Sequence, residues 1–180
     1  MKTITQKESL KISDEYTLIL ASESYLNSFF ELMNDKDNLL FMDDFLHETK
    51  NDSEKYISKY KSLLKQQLGA LYLLINLENN EVLGMIKING VNQNHDFYSL
   101  GFLIKKTCRK RGLAKKMLNT FLNNVFIPSL YKRVECQVHQ DNFKSVNLLQ
   151  GLGFRIEGRL RKNFKVGEYY FDSVVLGYVK

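Results

Sequence analysis

The densest chemistry in the chain lies at Thr107-Cys108-Arg109-Lys110-Arg111-Gly112-Leu113-Ala114. Seven cations fall between positions 105 and 116: Lys105, Lys106, Arg109, Lys110, Arg111, Lys115 and Lys116. An apolar stretch, Phe97 to Ile104, precedes the turn, and an amphipathic stretch from Gly112 to about Phe126 follows it. That order predicts a strand, a basic turn and the start of a helix. The first turn of a helix carries unpaired N–H groups and a partial positive charge, which suits an anion and above all a phosphate. Gly112 has no Cβ, so a ligand can approach the backbone there. A diphosphate is the expected guest.

The elements around the turn follow from periodicity and punctuation. Tyr16 to Ala21 predicts a first strand, and 1–14 a loosely ordered lead-in. Ser22 or Ser24 caps a helix whose apolar face is Tyr25, Leu26, Phe29, Phe30, Leu32 and Met33. Leu39 to Leu46, broken by Asp43 and Asp44, is a short helix or a loop over a site. Asn51 and Glu54 form a capping-box pattern that opens a helix to about Leu68. Ala70 to Leu77 reads as a strand buried on both faces. Val82 to Val91 completes a hairpin with it. Phe97 to Ile104 is the next strand, and the helix after the basic turn stops at Pro128. Tyr131 to His139 is a strand, Asp141-Asn142 starts a short helix, Phe154 to Leu160 is a strand, and Tyr169 to Val179 is the last. The expected architecture is α/β (α+β): one domain over residues 1–180, with a mixed sheet of about seven strands and flanking helices. The strand–helix–strand crossover at the basic turn makes its two strands parallel, with the site at their carboxyl ends.

Composition narrows the class. With 180 residues the chain can bury a substantial core. A hydrophobic fraction of 44% and a charged fraction of 26% are those of a globular protein. The net charge of +6 favours acidic partners such as coenzyme phosphates or RNA. Cys108 and Cys136 lack metal-ligand spacing, so no metal is expected, and a reduced, cytoplasmic setting is the simple reading. No signal peptide and no membrane-spanning run is evident. The Walker sequence, His-Glu-x-x-His and the third glycine of a dinucleotide fingerprint are absent.

Arg109-Lys110-Arg111-Gly112-Leu113-Ala114 fits the pattern Gln/Arg-x-x-Gly-x-Gly/Ala. Gly101-Phe102-Leu103-Ile104 precedes it, and Asn142-Phe143-Lys144-Ser145, Leu152-Gly153-Phe154-Arg155-Ile156-Glu157-Gly158 with Arg161, and Tyr170 with Asp172 follow it. Together these motifs resemble the GCN5-related N-acetyltransferases by their signature, and among them, by the further marks, the RimJ/RimL type that acetylates ribosomal-protein N-termini. The match spans residues 97 to 180; upstream only the order of elements agrees. The resemblance implies acetyl-CoA as cosubstrate. Its diphosphate would lie on the N–H groups of Arg109, Lys110, Arg111, Gly112, Leu113 and Ala114. Its pantetheine arm would run along Leu103, Ile104 and Lys105, in a slot opened by splaying of the parallel strand pair, with Asn142 as a hydrogen-bonding partner. Asn142 would serve equally as a plain helix N-cap.

Acetyl transfer needs a neutral amine, a polarised thioester carbonyl and a leaving thiolate. A backbone N–H near Leu103 is the expected oxyanion donor. Where many relatives carry an acidic tyrosine this chain has Leu149, which leaves Ser145 of the Asn-x-x-Ser element, or water, as the proton donor. Ser145 has a structural alternative, bonding its own backbone at the helix start. Glu135 and His139 share a strand face as candidate bases, with Tyr98 and Asp96 nearby. A surface salt bridge is the alternative for Glu135 and a structural role for His139. A weak base favours an N-terminal α-amine over a lysine or polyamine amine. The expected partners are therefore acetyl-CoA and a protein N-terminus such as that of a ribosomal protein, in a monomer or a homodimer through the last strand. The alternatives are a polyamine or aminoglycoside acetyltransferase, with Asp43, Asp44 and Glu48 as polycation ligands, and a non-catalytic RNA- or ribosome-binding module. Direct nucleic-acid binding is not expected, because the aromatics fall on core faces.

Overall fold

The computed structural model describes residues 3–4, 7–42, 46–166 and 168–180. Its centre is a mixed eight-stranded sheet in the order β1-β2-β3-β4-β5-β6-β8-β7. The strands are β1 (Ser9–Lys11), β2 (Tyr16–Leu20), β3 (Ala70–Asn76), β4 (Val82–Asn92), β5 (Phe97–Ile104), β6 (Arg133–His139), β7 (Arg155–Val166) and β8 (Tyr169–Val179). The helices are α1 (Leu26–Met33), α2 (Lys36–Leu39), α3 (Lys50–Lys65), α4 (Leu113–Phe121) and α5 (Phe143–Gln150).

The eighth strand is β1, inside the segment expected to be a loose lead-in. It pairs antiparallel with β2, Leu10 opposite Leu18, and buries Leu10. Three residues carry no periodicity of their own; the neighbouring strand makes them a strand. The helix expected to be capped by Asn51 is capped two residues earlier. Thr49 is its N-cap, and Thr49 with Asp52 closes the capping box. Ser22 precedes a 3-10 turn, Glu23–Tyr25, without a side-chain capping bond. The α4 helix finishes in a π-helical turn, Leu122–Phe126, that keeps Leu122, Val125 and Phe126 buried.

Alternation along the strands sends side chains to two cores. Tyr72, Leu74, Ile86, Ile88, Tyr98, Leu100 and Ile104 pack against Leu113, Met117, Leu118 and Phe121 of α4. Leu71, Leu73, Ile75, Met85 and Leu103 pack against Phe29, Leu32 and Met33 of α1 and Ile57 and Tyr60 of α3. With both faces covered, β3 is buried from Ala70 to Ile75.

The sheet contains one parallel contact among its described strands, β5 with β6. It runs from Phe97 opposite Arg133 to Ser99 opposite Glu135 and then stops. Beyond it β5 stays on β4 as far as Ile104, while β6 stays on β8 as far as His139. The pair therefore splays at its carboxyl ends. The last strand, β8, is paired on both sides from Ser173 to Gly177, and the edge strands of the sheet are β1 and β7.

Candidate active site

At the end of β5 the chain makes a 3-10 turn, Lys106–Cys108, and enters α4 with Gly112 as N-cap. Lys110 at φ 65° and Gly112 at φ 72° are both left-handed, a conformation that curls successive N–H groups toward one point. The first intrahelical bond is Lys116 N–H to Gly112 O at 3.1 Å. The N–H groups of Leu113, Ala114 and Lys115 precede it and face outward. A Cβ on Gly112 would meet nothing within 4 Å, so the space in front of the turn is open.

Arg109 stands differently from the rest of the turn. Its N–H donates to Lys106 O at 3.3 Å. Its Nε donates to Ile104 O at 3.0 Å, and its Nη2 to Asn38 O at 3.1 Å and Asp37 O at 3.2 Å. Lys105 pairs with Glu81, which raises the lysine pKa chiefly through that hydrogen bond. Beyond Arg109, the exposed cations at the helix start are Lys110, Arg111, Lys115 and Lys116.

The splay opens into a cavity of about 280 Å³. Ser99 to Phe102 form one wall and Cys136 to Val138 the other, with Asn142 and Ser145 at the start of α5. Lys105 N–H donates to Leu83 O at 2.8 Å. Antiparallel ladders alternate, so the N–H of Leu103 also faces β4, and those of Phe102 and Ile104 face the gap. The backbone donors left unpaired near Leu103 are those of these two neighbours. Asn142 accepts the Ser145 N–H on Oδ1 at 3.2 Å as the cap of α5. The Ser145 hydroxyl lines the cavity and makes no hydrogen bond to any described residue.

The cavity's far wall comes from Phe41 and Met42, in the segment expected to be a short helix or a loop over a site, and from residues the sequence did not mark: Lys87 and Asn89 of β4, and Asn163, Phe164 and Lys165 of β7. A register break between Leu160 and Phe164, with Lys162 at φ 53°, kinks β7 over the sheet. Asn163 then reaches Gln137 Oε1 at 2.8 Å and Ser173 Oγ at 3.0 Å. Lys87 is 5% exposed, and a Cβ on Gly101 would lie 2.6 Å from its Cε, so the glycine makes room for the lysine stem. The signal was present in the sequence: one lysine inside an apolar strand, opposite a glycine.

Of the candidate bases, Glu135 is placed away from this wall and His139 is buried behind it. Glu135 lies at the closed end of the parallel pair, 3.2 Å from Arg133, and does not line the cavity. His139 is 5% exposed, ringed by Phe41, Phe164 and Phe171 with ring centroids 5.3, 5.1 and 4.7 Å away. Its Nδ1 accepts the Asp141 N–H at 3.2 Å, which puts the proton of the neutral ring on Nε2. Tyr98 is in the core, its hydroxyl unpartnered and its pKa pushed up by burial. Glu48 is on a separate surface depression with His47, Asp52 and Tyr56. Asp43 and Asp44 lie outside the described residues. Among the described residues no group of three or more His, Cys, Asp or Glu is placed to hold a metal, and no helix is long and apolar enough to cross a membrane.

A splayed parallel pair with an open basic helix start at its mouth matches the acetyltransferase (GNAT) domain, which the chain fits over residues 16–155. The chain belongs to that family. It is 27% identical over 106 residues to an SPbeta prophage-derived uncharacterized N-acetyltransferase, YokL, of Bacillus subtilis. That match spans 59% of each chain, so the chain covers less than two thirds of this relative's length. The fold is shared with RimL, a ribosomal L7/L12 alpha-N-protein acetyltransferase solved in complex with coenzyme A. The TM-score is 0.87 at 16% identity, covering 96% of this chain and 98% of that one. It is shared also with a spermidine N-acetyltransferase from Vibrio cholerae solved with CoA and spermine. There the TM-score is 0.80 at 18% identity, covering 93% and 96%. These GNAT neighbours act on acceptors of different chemistry.

Proposed function

We propose that the chain transfers acetyl from acetyl-CoA to the α-amine of a polypeptide N-terminus. The observation that carries the acceptor half is the cavity lining: Lys87, Lys165, amides, hydroxyls and apolar groups, with no carboxylate among the described lining residues. A polycation would meet no described carboxylate there. An α-amine titrates near 8 and a polyamine or lysine amine near 10.4, so at pH 7.5 the neutral fraction differs roughly 200-fold. An α-amine therefore reacts without a strong base, and His139 presents its one free lone pair to a backbone N–H.

Acetyl-CoA is a substrate in this reading. Its diphosphate anions sit on the N–H groups from Lys110 to Lys115, and its amide arm runs along the unpaired side of β5 with Asn142 opposite. The neutral amine, entering from the Phe41–Lys87–Phe164 side, forms its N–C bond at the thioester carbon. The N–H of Phe102, which lines the cavity, receives the developing oxyanion, and that of Ile104 is left for the amide arm. The C–S bond breaks, the amine proton leaves to water, and the Ser145 hydroxyl passes a proton to the departing sulfur as it takes one back from water, so that the thiol leaves and the serine is regenerated. Similarity to ribosomal-protein acetyltransferases in the C-terminal half makes ribosomal-protein N-termini the first acceptors to try.

The test is thiol release from acetyl-CoA with peptides bearing free Ser, Ala or Met N-termini, their N-acetylated forms, spermidine and an aminoglycoside. Turnover on the free N-termini alone is expected. Turnover on spermidine or the aminoglycoside alone would overturn the acceptor assignment and leave the transfer chemistry standing.

A further inference from the structure

The coenzyme turn and the acceptor cavity are tied together through α2. Asn38, 2% exposed, accepts the Lys106 N–H on Oδ1 at 2.7 Å and donates Nδ2 to Leu32 O at 2.9 Å. Arg109 grips the same segment from the turn, forking Nη2 onto the carbonyls of Asp37 and Asn38 while Nε holds Ile104 O. Lys106 pairs with Asp37 at the surface. A four-residue helix has too few internal bonds to hold its own position, so α2 sits where these contacts put it. Two residues beyond its end come Phe41 and Met42, which wall the cavity, with Phe41 against His139.

We propose that Asn38 is a positioning residue for the acceptor: it carries ordering of the turn, on coenzyme binding, to the Phe41–Met42 wall. Asn38 touches neither the turn's anion side nor the cavity. It acts through one buried hydrogen bond to Lys106, seconded by the Arg109 fork. Turn and wall then form one unit, and linkage makes the coupling reciprocal: coenzyme tightens acceptor binding by the factor by which acceptor tightens coenzyme. Arg109 is thereby assigned to the coupling, with its neighbours Lys110 and Arg111 left for the anion. The inference rests on coenzyme binding at the turn.

Hydrogen exchange by mass spectrometry tests it with coenzyme A as the probe and no acceptor needed. Saturating coenzyme A should slow exchange severalfold in the wild type both at 105–116 and at 36–42. In Asn38→Ala, and in Arg109→Lys at the exposed end of the clamp, slowing at 105–116 should persist and slowing at 36–42 should vanish. Slowing confined to 105–116 in the wild type, or undiminished at 36–42 in both variants, would overturn the link alone. No slowing at 105–116 in the wild type would overturn the coenzyme site and the link with it.

Discussion

The Asn142 side chain accepts the Ser145 N–H at 3.2 Å, and the Ser145 hydroxyl, on the cavity wall, bonds to no described residue. One residue caps the helix, and the other presents its side chain to the cavity. Ser145→Ala should lower kcat about tenfold, less than the roughly hundredfold or more usual for proton transfer, because a thiolate of pKa about 8.5 leaves readily. The KM for acetyl-CoA should hold within about twofold. Steady-state kinetics checks both; an unchanged kcat would assign the proton donor to water. Asn142→Ala should in addition lower stability by about 1 kcal/mol through loss of the cap, read by denaturant unfolding.

Gly101 is where the sheet makes room for Lys87. Gly101→Val would put branched carbon into the 2.6 Å gap to the lysine Cε and push that stem into the cavity. The acceptor KM should rise severalfold, with acetyl-CoA affinity near the wild-type value. Kinetics on the preferred peptide, beside calorimetry of coenzyme binding, separates the two effects.

The two thiols should behave differently. Cys136 is 1% exposed and burial pushes its pKa up, while Cys108 is half-buried in the coenzyme turn. Iodoacetamide at pH 8 should label Cys108 and spare Cys136 in the folded protein, and coenzyme A should slow the labelling. Peptide mass mapping reads the site. Labelling of Cys136 at a comparable rate would show that the β6 core opens freely.

The strands that were legible in the sequence are those bounded by turn residues. Phe97–Ile104 and Tyr169–Val179 fall where alternation and flanking polar turns put them. The basic turn and the apolar face of α4 were legible for the same reason: local chemistry writes both. What the sequence hid depends on distant partners. Ser9–Lys11 is a strand because β2 lies beside it. Phe41, Lys87 and Phe164 meet only after three separate elements are folded. Arg109 counts as a cation for an anion site, yet its guanidinium turns inward to three carbonyls, and composition does not record direction.

Asp172 braces the kinked part of β7. Its carboxylate accepts the Lys162 N–H at 2.9 Å and Arg159 Nε at 2.7 Å, and these, the backbone bond first, hold its pKa below the ordinary range. A carboxylate with a depressed folded pKa adds stability in full above its unfolded value, about 3.9, and loses it as pH falls through the folded value. The cavity wall at Asn163 and Phe164 should therefore hold unchanged from pH 8 to 5 and loosen below about pH 4. Pulse hydrogen exchange over residues 160–166 measures this. Asp172→Asn should show the loosened wall at every pH.

The central claim is that the turn from Lys110 to Lys115 holds the coenzyme diphosphate. Calorimetric titration of coenzyme A into wild type and Gly112→Glu tests it most directly. A Cβ at Gly112 meets no described atom within 4 Å, so the variant should fold, with about 1 kcal/mol lost to the left-handed backbone. Binding by the wild type and none by the variant, with circular dichroism unchanged, is the predicted result. Equal affinity in the two proteins would contradict the account.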